Sequence, residues 1–223
     1  MVRTAPSGET PKQARRAPGV ARELLLAAAH DEFDDHGYAR ASTRAIAERA
    51  GVAEPLIFRH FGSKAGLFNE VVFGPIRIFM QGWEEFNTKA GTKYDPETLA
   101  KKFVGGLYDL LRANRGLMVT YFATHVFEPE LFDEFGTVSG FLDVIQLMDR
   151  ETEKRIAVEK QLRRPTKVSA KTRLHERISV GSVIAAALFD DLLFQGMSTM
   201  PTRNQLVNEL ARIAITSQPD LRG

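Results

Sequence analysis

Two short segments of helical periodicity, 43–50 and 54–61, are joined across Gly51, Val52 and Ala53, and this joint constrains the fold more than any other feature of the chain. Ser42 stands where a side-chain oxygen can cap the first segment. Ile46, Ala47 and Ala50 form its apolar face, and Gly51 ends it in a left-handed turn that glycine takes without steric cost. Ala47 must be small if the second segment crosses close to it, and Val52 and Ile57 fill the angle between the two. Pro55 falls in a first helical turn, where a missing N–H costs little. Gly62 and Ser63 then break the chain, and Ser63 can cap the next helix. A helix-turn-helix of this kind leaves the N-terminal end of its second helix projecting. That end fits a major groove about 12 Å wide. An ordinary helical hairpin has the same local pattern.

The rest of the chain also reads as helix. Segments 18–36, 64–87, 96–114, 116–127, 129–156, 171–195 and 202–216 carry helical spacing, and no alternating pattern exceeds four residues. In the first of these, Val20, Leu24, Ala27, Ala28 and Phe33 mark the apolar face, and Gly37 is expected to end it. Gly74-Pro75 is expected to kink the segment 64–87, and loops are expected at 88–94 and 163–170. The fold expected is all-α, with about nine helices. It comprises a flexible basic arm at 1–17, a compact three-helix part with its helix-turn-helix at 18–66, and a larger helical bundle at 67–223.

Composition narrows the chemistry. Cysteine is absent, which removes disulfides and thiolate metal sites. The five histidines, at 30, 36, 60, 125 and 175, show no metal-ligand spacing. There is no phosphate-binding glycine loop and no nucleophile elbow. The adjacent acids Asp34-Asp35 and Asp190-Asp191 diverge on a helix and make poor catalytic pairs. Neither an enzyme nor a metal or organic cofactor is expected. No apolar run approaches the ~18 residues of a membrane span, and the N-terminus lacks an apolar signal core, so a cytoplasmic protein is expected. Residues 1–22 hold Arg3, Lys12, Arg15, Arg16 and Arg22 against Glu9 alone. Such a segment is either a solvated tail or an arm for nucleic-acid phosphates.

The wording of 42–67 is more specific than its geometry. Ile46-Ala47, Ala50-Gly51-Val52, Ile57-Phe58, His60-Phe61, Ser63-Lys64 and Leu67, with the spacing from Gly37-Tyr38, closely resemble the signature of the TetR (tetracycline-repressor-like) family. The resemblance covers about residues 20–70. It implies a homodimeric repressor that binds a two-fold operator in double-stranded DNA and is released when a small molecule enters the C-terminal bundle. It assigns DNA binding to 18–66, and ligand binding and dimerisation to 67–223. It also implies site residues. Ser42, Thr43 and Arg44 open the helix that lies on the sugar–phosphate backbone, and Arg44 can reach a base edge. Glu54, Pro55 and Leu56 occupy base-reading positions, where Glu can accept from cytosine N4 and Pro or Leu can pack on a thymine methyl. Glu54 equally suits the helix dipole. Phe58, Arg59, His60 and Lys64 fall at phosphate contacts. Two positions depart from the family. Phe58 replaces the usual Tyr and loses a hydrogen bond worth about 0.5–1.5 kcal/mol. Ala53 replaces the usual Ser or Thr cap, at a cost of about 1 kcal/mol.

In the bundle, Phe103, Leu107, Leu110 and Leu111, then Met118, Tyr121, Phe122 and His125, then Phe141, Ile145 and Met148 are the candidate effector contacts. These stripes also have the spacing of plain core. Aromatics with Met suit an apolar effector, and Tyr121 and His125, four apart, can anchor a polar end. The small, apolar run of 179–188 makes that helix the dimerisation candidate, through Val180, Ile184, Ala187 and Leu188, joined by Leu206, Leu210 and Ile213 of the last helix. The competing reading, a helical protein-interaction module, accounts for the bundle but not for 42–67.

Overall fold

The computed structural model describes residues 18–90, 93–128, 130, 140–159 and 167–216. The basic arm at 1–17 lies outside them, as do half of the loop expected at 163–170 and the first part of the segment expected at 129–156. Ten helices and no strand are found among the described residues.

The first helix, α1 (Pro18–Arg40), carries Gly37 at φ 71° inside it and resumes for one further turn. The expected stop at Gly37 is therefore an interruption, bridged by the Ala41 N–H donating to the Gly37 carbonyl at 3.2 Å. Its buried stripe is Ala21, Leu25, Ala28, Ala29 and Phe33, whereas Val20 is exposed. The expected face was therefore displaced at its N-terminal end. A helix this rich in Leu and Ala has apolar residues on several sides, and neighbouring helices select among them. Phe33 packs edge-on against Phe68 at 4.8 Å between centroids, and Tyr38 closes on Phe68 at 4.9 Å. This aromatic cluster is the base on which α2 (Thr43–Ala50) and α3 (Pro55–Phe61) rest.

Helix α4 (Lys64–Ala90) runs through Pro75 as a single helix and takes up residues 88–90 of the expected loop. Ser63 starts it, its Oγ accepting the Gly66 N–H at 2.9 Å. Helix α5 (Pro96–Ala113) opens on Asp95, whose Oδ1 accepts the Thr98 N–H at 2.9 Å. The Thr98 hydroxyl and backbone N–H hold the Asp95 carboxyl below its ordinary range. Helix α6 (Arg115–Phe127) follows almost at once. It comes so close to α1 that a Cβ on Gly116 would lie 1.9 Å from Asp34 Oδ1.

Helix α7 (Gly140–Glu159) packs on α4. Helix α8 (Ala170–Leu188) is capped by Ser169 Oγ, which accepts the Thr172 N–H at 3.1 Å. It was expected to reach residue 195 but ends at Phe189, where φ is −128°. Two guanidinium groups occupy that end. Arg112 Nη1 donates to the Ala187 carbonyl at 3.3 Å and Arg115 Nε to the Leu188 carbonyl at 2.7 Å. The same arginines hold Asp190 and Asp191 at 2.7 and 2.9 Å, and Arg115 holds the Asp191 carboxyl below its ordinary range. The chain resumes as the one-turn α9 (Asp190–Leu193) and ends in α10 (Arg203–Thr216). Arg203 joins α10 to α5 through both oxygens of Asp109, each at 2.6 Å. One apolar core runs from the aromatic cluster through α4 into the bundle.

Candidate nucleic-acid interface and ligand cavity

The joint between α2 and α3 is built from local chemistry. Ser42 Oγ accepts the Ala45 N–H at 3.1 Å. Gly51 adopts φ 63°, ψ 39°, and the Val52 N–H reaches the Ala47 carbonyl at 3.0 Å. These bonds satisfy donors and acceptors that a helix end leaves open. Ile46, Ala47, Ala50 and Ile57 are buried at the crossing. Helix α3 starts with no side-chain cap, in keeping with Ala53.

One interaction crosses between the two helix starts. The Thr43 hydroxyl donates to Glu54 Oε1 at 2.5 Å. Thr43 and Glu54 therefore brace each other. A carboxylate has about four acceptor positions, so Glu54 retains capacity for a base donor. Pro55, Phe58 and Arg59 are exposed, while Leu56 and His60 are half-buried. Arg44 is exposed on α2, and its charge is steadied by the Glu48 carboxylate at 2.9 Å, which raises its pKa. Lys64 turns inward: its Nζ lies 4.5 Å above the Tyr38 ring and 3.4 Å from the Ala39 carbonyl. It sits at the first position of α4. Arg22, beside the arm, lies over the Phe61 ring at 5.5 Å and bonds Glu70 at 2.8 Å, and Glu70 also holds Arg77.

A cavity of about 150 Å³ lies among α4, α5, α7, α8 and α10. Of the expected effector contacts, Phe103 and Met148 line it. Leu107, Leu111, Met118 and Tyr121 are buried in the core outside its lining, and Leu110, Phe122 and Ile145 are half-buried there. The side chain of Phe141 lies outside the described residues. His125 is exposed and stacks on Tyr121 at 6.2 Å, so this pair does not form a polar end of the cavity. Burial raises the Tyr121 pKa. Sequence reasoning missed Trp83 and the polar wall supplied by α7 and α8, which includes Glu151, Thr152, His175, Glu176 and Ser179. The Thr152 hydroxyl donates to Glu176 Oε1 at 2.5 Å, and His175 Nε2 lies 3.1 Å from the Ala214 carbonyl and 3.2 Å from Ser179 Oγ. The available signal was a His and a Ser four residues apart in a helix otherwise rich in Ala and Val.

The expected dimer contacts divide. Ala187, Leu188 and Leu210 are buried within the chain itself, Val180 lines the cavity, and Ile184 and Leu206 are half-buried. Their apolar surface is consumed by α5 and the core, which corrects the assignment of Ala187, Leu188 and Leu210 to an interface. Ile213 is 39% exposed, and Leu174 and Ile178, one turn apart on α8, are 61% and 57% exposed.

The family model described as bacterial regulatory proteins, tetR family, matches residues 25–71, from Leu25 in α1 to Val71 in α4. Over these residues the chain is similar to the tetR family. A relative, the HTH-type transcriptional regulator BetI of Stenotrophomonas maltophilia (strain R551-3), is 30% identical over 115 residues, 50% of this chain and 58% of that protein. The chain thus spans less than two thirds of that relative. The fatty acid degradation regulator FadR of Bacillus halodurans superposes with a TM-score of 0.61 at 19% identity, over 90% of this chain and 96% of that one. FadR of Bacillus subtilis, solved in complex with stearoyl-CoA, gives a TM-score of 0.55 at 15% identity over 87% and 98%. At these identities the likeness is one of fold. It extends through the bundle, beyond the span of the family model.

Proposed function

We propose that this chain is a DNA-binding transcriptional regulator of the tetR family, a homodimer on a two-fold operator, whose affinity for DNA falls when a small molecule enters the bundle. The carrying observation is the surface of α2 and α3. Pro55, Phe58 and Arg59 are exposed on a short helix held out by the Gly51 joint, with exposed Arg44 beside them. A major groove takes such a helix end, and a cation at its edge meets phosphate. The division at residue 66, the basic arm as an added phosphate contact and a cytoplasmic location, where the DNA is, belong to the same reading. A protein-interaction module would leave this surface without a purpose. Selection of bound sequences from random DNA tests the reading: a two-fold repeat supports it, and recovery of no sequence overturns it.

Arg44→Ala and Lys64→Ala are each expected to weaken operator binding and to lower the slope of log affinity against log salt by about 1, the release accompanying one phosphate contact. Titration at several salt concentrations checks this, and unchanged slopes would remove both residues from the interface.

The dimer face we assign is the exposed stripe of Leu174 and Ile178 on α8 with Ile213 on α10. Apolar residues grouped in this way mark an association surface. Effector entry has a built-in reporter, because Trp83 is the sole tryptophan of the chain and lines the cavity. A bound effector is expected to change the intensity or wavelength of tryptophan emission saturably, in step with release from DNA. An effector that releases DNA and leaves that emission unaltered would place its site elsewhere. The stearoyl-CoA held by a structural neighbour supports a ligand site in the bundle.

A further inference from the structure

We infer that the cavity takes a small hydrophobic organic cation, an inference that rests on the cavity being the effector site. Its apolar walls include Met80, Trp83 and Phe103. The Trp83 and Phe103 rings are 5.2 Å apart and tilted by 59°, so two aromatic rings meet at an angle on one wall. The polar wall carries the carboxylates of Glu151 and Glu176, and no lysine or arginine is among the lining residues described. Lys154 lies beside this wall with its Nζ on Glu151 at 2.9 Å and on Glu84, which keeps it ammonium and raises its pKa.

Three physical terms select the ligand. Carboxylates bordering an apolar space are poorly hydrated, and an opposite charge brought to them recovers what dehydration costs. Angled aromatic faces attract a cation, Trp most strongly. The same carboxylates repel an acid, a phosphate or the anionic head of an acyl thioester. Size adds a fourth limit. An engineered cavity of about 150 Å³ holds benzene, so the space present here matches one aromatic ring or a compact quaternary ammonium. A long acyl chain exceeds it.

The test uses the full chain and three one-ring probes of similar size: benzylammonium, its uncharged carbon isostere ethylbenzene, and phenylacetate. Binding is read by Trp83 emission and by calorimetry. The cation is expected to bind at least about tenfold more tightly than the isostere, a gap of about 1.4 kcal/mol, and phenylacetate more weakly than both. Glu151→Gln and Glu176→Gln are each expected to loosen the cation about tenfold or more and to leave the isostere within about twofold. If the isostere or the acid binds as tightly as the cation, or if both substitutions weaken all probes alike, the charge assignment is overturned while the cavity remains the effector site. If no probe binds and Trp83 emission stays constant, the effector reading of the cavity fails with it. Thermal unfolding of both variants identifies a substitution that merely damages the fold, and the intact variant then decides.

Discussion

Ile178→Glu is expected to yield a monomer that binds a two-fold operator at least about 100-fold more weakly. Ile178 is 57% exposed and Leu174, one turn before it, 61%. A glutamate at 178 removes apolar area from a shared face and places a charge in it on each protomer. The loss on DNA follows from valence. Two half-sites bound by one dimer gain a factor of 10² to 10⁴ over a single half-site, because the second contact is intramolecular. The substitution adds a charge to an exposed position, so the fold of the protomer stays intact. Sedimentation equilibrium gives the mass and a two-fold operator fragment gives the affinity. Ile78, 71% exposed on α4, supplies the comparison: Ile78→Glu should leave the mass dimeric. A dimeric Ile178→Glu chain would move the association surface away from α8.

Phe33→Ala is expected to cost about 3–5 kcal/mol, the usual range for deleting a buried phenyl ring. Phe33 is fully buried and meets both Phe68 and Tyr38. Marginal domains have about 5–15 kcal/mol in total, so the loss removes a large share of the stability. It also reaches the DNA surface, because the Tyr38 ring supports the Lys64 ammonium. Urea unfolding followed by circular dichroism should show a large fall in midpoint, with weaker DNA binding at temperatures where the variant remains folded. A midpoint shift below about 1 kcal/mol would mean that the cluster relaxes into the space. That is the outcome by which core sites differ most at fixed chemistry.

The contrast between the two ends of the chain explains what a sequence can disclose. Ser42, Gly51 and Pro55 act within a few residues of themselves, through caps and a left-handed turn, and so the α2–α3 joint was legible. The bundle was legible as helices but not as surfaces. The end of α8 is set by Arg112 and Arg115, more than 70 positions away, and no local stop signal stands at Phe189. The cavity is equally non-local. Its aromatic wall comes from α4 and α5 and its acidic wall from α7 and α8, helices that meet only through the fold. Apolar stripes told which residues seek cover. They did not tell whether that cover is the core, as for Leu188, or the cavity, as for Val180, or whether the residue stays exposed on the protomer, as Ile178 does. Val20 illustrates the same limit within one helix, where a broad Leu- and Ala-rich surface permits more than one seam.

Gly116 has a mechanical consequence. It backs α6 against Asp34 of α1 with no room for even a methyl group. The residue before it, Arg115, grips the last carbonyl of α8. Two contacts one residue apart on α6 thus face opposite halves of the molecule. A shift of α8 along its axis bears on the start of α6 through Arg115, and α6 approaches α1 only as the exposed Asp34 side chain swings aside. The helix behind the α2–α3 surface and the helix beside the cavity thus meet on neighbouring residues of α6.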